Sequence, residues 1–364
     1  MTRPARILAT TALCALGLPL AACVSAREAP APRAADAPRR TADGLPPPAA
    51  FEELLAAFDV PGMAMATLTG CEPDGVVPVG TADLGTGAPV TADTAFEAAS
   101  LTKPLFAYLV LQLADEGVID LDAPLAPFPA PRVTNQDAYA QVTTRMILTH
   151  RTGMPNWTGD SQDEARTDPI SFESAPGTAY SYSGEAFELL LAYVSAATGK
   201  SFEALFEARL GKLMPNSTVD GVLRGEAIPS RGYVAASDEA SGRDLYLTPH
   251  ETGAAWGLVT TAGDYAAFLG HVCEGGGLSD AMRADMLRPQ APMPSGSMPG
   301  PASYGLGWVI LQLGPETIAM HTGNNDEYRS LAAFLPATGE GYVIFTNGRN
   351  GEDMISAIME QAQP

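Results

Sequence analysis

The chain has 364 residues, of which 46% are hydrophobic, and its 42 acidic side chains outnumber 21 basic ones, which gives a net charge of −21 at pH 7. A chain with so few Lys and Arg residues has no basic stripe to neutralise phosphates, so the composition argues against nucleic-acid binding. The four His and four Cys residues occur in no HExxH or CxxC spacing, so neither a metal site nor a cofactor is predicted.

The first 23 residues predict an export signal. Arg3 and Arg6 supply positive charge, and residues 7–20 form an apolar stretch that is too short for a stable membrane span. The segment ends in the sequence LAAC, closing at Cys23, which is typical of a bacterial lipoprotein. We therefore expect acyl chains on Cys23 to hold the exported protein at a membrane surface in the bacterial cell envelope, on the periplasmic side. The alternative is an ordinary cleavage site with an incidental cysteine.

The mature chain divides into a tether and a folded domain. Residues 24–49 are rich in Ala, Pro and Arg and have no helical or strand period, so they predict a tether. Residues 50–364 contain no visible internal repeat. Their length suits one large α/β body, or a body with an inserted lobe.

Hydrophobic periodicity in residues 50–364 predicts strands at both ends of the domain and helices between them. Residues 51–58 have helical spacing, and residues 63–68 and 76–83 have the pattern of a hairpin. Further helices are predicted at residues 100–117, 145–155, 186–197, 264–272 and 352–361, a strand or loop at 255–260, and strands at 304–313, 317–322, 330–335 and 341–346. This order favours one antiparallel sheet with flanking helices and an α-rich lobe beside it.

Ser100 and Lys103 are the first candidates for catalysis. They lie three residues apart at a predicted helix start, so both project from one face, and the helix N-terminus stabilises an alkoxide there. A lysine among apolar neighbours loses hydration and accepts a proton near neutral pH. Since S-x-x-K also occurs by chance, the alternative is an N-cap serine followed by a solvated lysine.

The segment Ser-Leu-Thr-Lys-Pro at the head of an apolar helix resembles the nucleophile motif of serine β-lactamases and penicillin-binding proteins. Further segments similar to this family, which includes the class C β-lactamases, are DLD at 120–122, LTHRTG at 148–153, YGLGW at 304–308 and TNG at 346–348. The resemblance covers nearly all of residues 51–364. It implies a β-lactamase/transpeptidase-like α/β (α+β) fold, and it implies that His150 is structural.

The second element of that family, Tyr-x-Asn, is similar to Tyr182-Ser183-Gly184. The resemblance implies that Tyr182 acts as a base toward the serine and later as an acid toward the leaving group. Gly184 stands at the Asn position among the substrate-binding residues, so a side-chain amide that contacts substrate in the family is absent. This departure weakens the case for an efficient β-lactamase. Tyr180 is predicted to be a packed aromatic residue.

The third element, Lys-Thr-Gly, is represented by His321-Thr322-Gly323, a variant typical of secreted DD-peptidases, D-aminopeptidases and esterase-like members. The resemblance implies that these three residues contact substrate, with His321 binding a substrate carboxylate or tuning the tyrosine. It also implies an oxyanion hole formed by the backbone N–H groups of Ser100 and Asn324, worth about 3 kcal/mol per donor.

The sequence therefore predicts a serine hydrolase that acts through a Ser100 acyl-enzyme on a small ester, peptide or β-lactam substrate, of the esterase or DD-peptidase type. A true β-lactamase and a non-catalytic binding lipoprotein on the same fold are the alternatives. An α/β-hydrolase is disfavoured because no G-x-S-x-G pentapeptide occurs.

Two cysteines remain once Cys14 leaves with the signal and Cys23 is acylated. In an oxidising compartment Cys71 and Cys273 either pair or stay as two buried thiols, and the sequence leaves both outcomes open.

Overall fold

The computed structural model describes residues 49–159, 167–237, 243–244 and 253–361. The predicted export signal, Cys23 and the predicted tether up to residue 48 lie outside the described residues. Within the described ranges, every helix is too short or too polar to cross a bilayer.

Strands from both ends of the domain form one large antiparallel sheet. The strands of the described chain are β1 (Gly62–Thr69), β2 (Glu72–Asp83), β3 (Ala88–Pro89), β4 (Thr94–Glu97), β5 (Ile228–Pro229), β6 (Arg231–Gly232), β7 (Arg243–Asp244), β8 (Val259–Thr261), β9 (Ala291–Pro292), β10 (Ala302–Tyr304), β11 (Val309–Leu313), β12 (Glu316–Asn325), β13 (Tyr328–Phe334) and β14 (Gly341–Thr346). The main sheet has the order β3-β2-β1-β14-β13-β12-β11-β10-β9, and two small sheets have the orders β5-β4-β8 and β6-β7. Because β1 pairs with β14, the two ends of the domain meet as predicted.

Helices cover both faces of the main sheet. The helices of the described chain are α1 (Ala49–Phe58), α2 (Thr102–Asp115), α3 (Gln136–Tyr139), α4 (Thr144–Leu148), α5 (Gly184–Thr198), α6 (Phe202–Arg209), α7 (Ala262–Cys273), α8 (Asp280–Met286) and α9 (Gly351–Gln361). Apolar side chains of α1 and α9 form a core with one sheet face, and those of α2, α5 and α7 form a larger core with the other. The predicted fold class, an antiparallel sheet with flanking helices and a helical lobe, is confirmed.

The central strands are apolar on both faces because each face has its own core. In β1, Met63 and Met65 contact the core of α1 and α9, whereas Ala64 and Ala66 face the opposite core. This division follows from the alternation of side chains along a strand. The strand is therefore hydrophobic throughout, rather than alternating between apolar and polar residues.

Helix α2 is the central helix of the larger core, and its residues are buried from Thr102 through Leu113. The predicted helix start at Ser100 is two residues early, because residues Ala99–Leu101 form a separate 3₁₀ turn. The hydroxyl of Thr102 donates to the carbonyl of Ala99 over 2.6 Å, which caps that turn. Pro104 falls in the first turn of α2, where no N–H partner is needed.

The predicted strand at residues 304–313 is wrong in one respect, since it is two strands, β10 and β11, paired as a hairpin. Gly307 lies in the connection with φ of +86°, a conformation that glycine adopts without strain. A Cβ atom at this position would come within 2.4 Å of the Ala107 Cβ on α2. Close packing against the central helix therefore breaks the strand.

A disulfide joins Cys71, in the turn between β1 and β2, to Cys273, the last residue of α7. The two Cα atoms are 5.6 Å apart, and 202 residues separate the cysteines in the sequence. Of the two outcomes that the sequence leaves open, the structure has the paired one. The bond ties α7 to the edge of the strand pair on which it packs.

We expect the double variant Cys71→Ser/Cys273→Ser to lose about 2–4 kcal/mol of unfolding free energy, because the cross-link restricts the unfolded chain. Urea unfolding of the oxidised wild type and the variant measures the difference. Dithiothreitol should lower the midpoint of the wild type and leave that of the variant unchanged. Equal stability of the two oxidised proteins would contradict the prediction.

Candidate active site

Ser100 occupies the 3₁₀ turn that connects β4 to α2. Ala99, the residue before it, has φ of +52°, a left-handed conformation that is uncommon outside glycine. The side chain of Ala99 is fully buried, whereas Ser100 is partly exposed. The turn therefore presents one hydroxyl to the cleft and holds its neighbours in the core.

Lys103 places its amine directly beside that hydroxyl. Its Nζ atom donates to Ser100 Oγ over 3.0 Å and to the carbonyl of Ala255 over 2.9 Å. The residue is only 1% exposed, and burial lowers the pKa of its amine to about 7, against an opposing effect of the Glu188 carboxylate. A substantial fraction of the amine is therefore neutral, and able to accept a proton, at neutral pH.

Tyr182 completes the group of side chains around Ser100. Its phenol interacts with the side chain of Ser100, and its ring centroid lies 4.7 Å from Lys103 Nζ. Burial raises the pKa of the Tyr182 phenol well above its ordinary value, so the phenol is protonated near neutral pH. Of the two groups beside the hydroxyl, the amine is the better proton acceptor and the phenol the better donor.

His150 packs against Tyr182. The two ring centroids are 4.2 Å apart, and His150 Nδ1 accepts the backbone N–H of Ser183 over 3.0 Å. Burial, with the nearby Lys103 charge, holds the pKa of His150 well below its ordinary value. A neutral imidazole thus packs against the ring of Tyr182.

His321 lies on β12 and is 3% exposed. Its Nδ1 atom is 2.7 Å from the carbonyl of Thr322, to which it donates, and its Nε2 atom accepts from the Tyr304 hydroxyl over 2.5 Å. Burial, with the Lys103 charge, lowers the pKa of His321 to about 3. Both ring nitrogens are engaged inside the protein, and the tyrosine that binds one of them is Tyr304 rather than Tyr182.

Strand β12 passes immediately beside the Ser100 turn. A Cβ atom at Gly323 would come within 2.4 Å of the Ala98 carbonyl and 2.2 Å of Ser330 Oγ, so only glycine permits this approach. In the described chain, β11 pairs with β12 as far as Met320 and no further. Beyond Met320 on β12, Thr322 is partly exposed and Asn324 is exposed.

Gly184 begins α5, two residues after Tyr182. The ring of Trp157 lies against it, at a distance where a Cβ atom on residue 184 would be 2.4 Å from the indole. The structure thus brings Ser100, Lys103 and Tyr182 together, places β12 alongside them, and covers Gly184 with an aromatic ring.

Several residues of this site were not identified from the sequence. The carbonyl of Ala255 has no side-chain signature, and Glu188 lies on a helical face that periodicity alone assigns to packing. Tyr304 is the first residue of the YGLGW segment, and that segment does not by itself indicate a hydrogen bond to His321. Trp157 lies in a loop without a readable pattern. Within the described ranges, no group of His, Cys, Asp and Glu side chains is arranged to hold a metal ion.

Comparison with known proteins agrees with this architecture. The model of the family described as Beta-lactamase matches residues 48–363. The D-alanyl-D-alanine-carboxypeptidase/endopeptidase AmpH of Escherichia coli K12 is 25% identical, over 70% of this chain and 71% of its own. Esterase EstB of Burkholderia gladioli is 33% identical, over 35% of this chain and 39% of its own.

A solved structure with the same fold is that of the octameric penicillin-binding protein homologue from Pyrococcus abyssi. It superposes with a TM-score of 0.70 at 21% identity, covering 85% of this chain and 74% of that one. The resemblance deduced from the S-x-x-K segment is confirmed, because the family match spans the main sheet, the helical lobe and the Ser100 turn. The chain belongs to the Beta-lactamase family of serine hydrolases.

Proposed function

We propose that this protein is a serine hydrolase that forms an acyl-enzyme on Ser100 from an ester or amide substrate, and that it is of the esterase or DD-peptidase type. The observation that carries the proposal is the 3.0 Å contact between Ser100 Oγ and an amine whose pKa burial lowers to about 7. A deprotonated amine at hydrogen-bond distance from a hydroxyl is the arrangement that activates a serine nucleophile.

The first step is attack on the substrate carbonyl. Ser100 Oγ forms a bond to the carbonyl carbon as Lys103 takes the hydroxyl proton, and the carbonyl π electrons move onto oxygen. The backbone N–H groups of Ser100 and Asn324 donate to that oxyanion, for which a contribution of about 3 kcal/mol per donor is typical. The close approach of β12 at Gly323 supports this pairing of donors.

The second step expels the leaving group. The phenol of Tyr182 gives its proton to the leaving oxygen or nitrogen as the bond from carbon breaks, and Lys103 returns the proton that it took to the phenol. The raised pKa of Tyr182 and the lowered pKa of Lys103 support this direction of transfer. Water then attacks the acyl-enzyme by the reverse sequence and releases the acid.

The named relatives support an ester or peptide substrate without choosing between them. One is called a D-alanyl-D-alanine carboxypeptidase/endopeptidase and another an esterase. A β-lactamase remains the second enzymatic candidate, because the family carries that name. A non-catalytic binding lipoprotein is the remaining alternative. The presence of Ser100, Lys103 and Tyr182 in mutual contact argues against it.

We further propose that the enzyme is exported and held at a membrane surface by acyl chains on Cys23. The apolar stretch at residues 7–20 and the LAAC sequence that ends at Cys23 support this assignment. The disulfide independently supports export, though not acylation of Cys23, because such bonds persist in oxidising compartments outside the cytosol.

Ser100→Ala should abolish hydrolysis and covalent labelling. Intact mass spectrometry after incubation with a fluorescent penicillin, and separately with a short-chain p-nitrophenyl ester, measures the adduct. Ser356→Ala, on α9 away from the site, is the matched control and should label like the wild type. A lasting penicillin adduct would indicate a peptidase and a rapidly hydrolysed one a β-lactamase, whereas an ester burst alone would indicate an esterase. Labelling that survives in the Ser100 variant would reject the nucleophile.

Acylation should speed up as pH rises through about 7 and level off above it. The pKa of Lys103 is lowered to about 7, and its neutral form, which accepts the Ser100 proton, predominates above that value. His321 adds no transition between pH 5 and 9, because its pKa is lowered to about 3. Burst rates with a p-nitrophenyl ester over this range measure the profile, and Lys103→Arg should remove the burst. A flat wild-type profile would contradict the assignment of Lys103.

Cys23→Ser should release the protein from membranes. Metabolic labelling with a radioactive fatty acid, followed by separation of membrane and aqueous fractions, tests this in a bacterial host that processes lipoproteins. The wild type should carry the label and sediment with membranes, whereas the variant should do neither. Cys71→Ser is the matched cysteine control and should keep the label. An unlabelled wild type would mean that the site is an ordinary cleavage site.

A further inference from the structure

A chain of hydrogen bonds extends from the Ser100 hydroxyl to a carboxylate on α5. Ser100 Oγ accepts from Lys103 Nζ over 3.0 Å, and the same amine donates to the carbonyl of Ala255 over 2.9 Å. The backbone N–H of Ala255 donates in turn to Glu188 Oε1 over 3.0 Å. Glu188 therefore binds the residue whose carbonyl binds the amine.

Residues 253–258, which contain that carbonyl, are fastened to the Ser100 turn at their far end. The N–H of Leu258 donates to Thr102 Oγ1 over 3.0 Å, and its carbonyl accepts the N–H of Ala98 over 2.8 Å. Ala98 and Thr102 are the two residues that flank the turn. The carbonyl is thus held by the turn on one side and by the α5 carboxylate on the other.

The start of the same segment leaves room for the carboxylate. A Cβ atom on Gly253 would lie 2.2 Å from Glu188 Oε1 and 2.5 Å from Trp256 Nε1. The carbonyl of Gly253 accepts the N–H of Gly257 over 2.9 Å, so this part of the chain is a tight turn. The absence of a side chain at residue 253 therefore lets the Glu188 carboxylate reach the N–H of Ala255.

Titratable groups from four elements of the described chain act on the Lys103 amine. They are Tyr182 before α5, His150 after α4, His321 on β12 and Glu188 on α5. Burial lowers the pKa values of both imidazoles and raises that of the phenol, so these three groups are uncharged near neutral pH. Within this set, the carboxylate supplies the negative charge that favours the ammonium form of Lys103.

We propose that Glu188 is a positioning residue for acylation: its carboxylate fixes the Ala255 carbonyl against the Lys103 amine, and its negative charge sets the pH range in which that amine accepts a proton. The inference rests on the proposed acyl-enzyme function. The hydrogen bond and the charge have separate consequences. The hydrogen bond governs how fast the neutral amine reacts, and the charge governs what fraction of the amine is neutral at a given pH.

Glu188→Gln isolates the charge, because its amide oxygen can still accept the N–H of Ala255. Removing a negative charge disfavours the ammonium, so the midpoint of the p-nitrophenyl ester burst should fall by about 1 pH unit from its wild-type value, with the plateau at high pH within about twofold of wild type. The burst at pH 6, relative to that plateau, should therefore rise about fivefold. A gain of rate at low pH is not a result that misfolding produces.

Glu188→Met removes the acceptor together with the charge and keeps a side chain of similar length. Its plateau should fall about tenfold, because the amine loses its fixed partner, and comparison with Glu188→Gln measures how much of that loss a neutral acceptor restores. If Glu188→Met does not fold by circular dichroism, Gly253→Ala replaces it, since the added methyl would displace the carboxylate oxygen.

Glu53→Gln is the matched control for the loss of one negative charge. Glu53 is an exposed residue of α1, which packs on the opposite face of the main sheet from α5. Both the midpoint and the plateau of this variant should equal those of the wild type.

The outcomes separate the inference from the proposed function. A wild type that gives no burst and forms no Ser100 adduct rejects the proposed function. An active wild type whose midpoint equals that of Glu188→Gln overturns the inference alone, and so does a Glu188→Met variant with the wild-type plateau. Equal loss of the plateau in the Gln and Met variants also overturns it, because that result describes a side chain needed only for folding.

Discussion

The burial of one lysine amine is the constraint on which the site depends. Lys103 lies on a helix that is buried from Thr102 through Leu113, so its charged form loses hydration that the Ala255 carbonyl and the Ser100 hydroxyl replace only in part. The pKa of Lys103 falls to about 7 as a result, against the opposing charge of Glu188. The large core between the sheet and the lobe is therefore also what makes the amine reactive.

Two imidazoles lie close to Lys103, and both are neutral. A positive charge on either one would disfavour the charged form of the Lys103 amine and lower its pKa further. Burial lowers the pKa values of His150 and His321, and the hydroxyl of Tyr304 donates to His321 Nε2. Both rings are thereby uncharged supports for Tyr182, whose ring lies 4.2 Å from one and 6.3 Å from the other.

Ser100, the proposed nucleophile, lies where the main sheet meets the helical lobe. The turn that carries Ser100 joins a strand of a small sheet to the central helix, and β12 of the main sheet passes beside it at Gly323. Lys103 comes from the helix after the turn, Tyr182 from the loop before α5, and the Ala255 carbonyl from a segment before β8. All of these elements must be packed before the side chains of the site reach their observed positions. Rigid elements hold such positions more precisely than loops do.

The sequence alone determined the features that depend on short-range spacing. Helical and strand periods identified the main sheet and its principal helices, and the three-residue separation of Ser100 and Lys103 placed both on one face. Tertiary structure decided whatever joins distant parts of the chain: the Cys71–Cys273 bond across 202 residues, and the Ala255 carbonyl 152 residues from Lys103. It also decided the interruption of the predicted strand at Gly307 and the packing of the Trp157 ring on Gly184. The position of a backbone carbonyl cannot be read from a sequence, because every residue has one. The need for a glycine is evident only when the atom that packs against it is known.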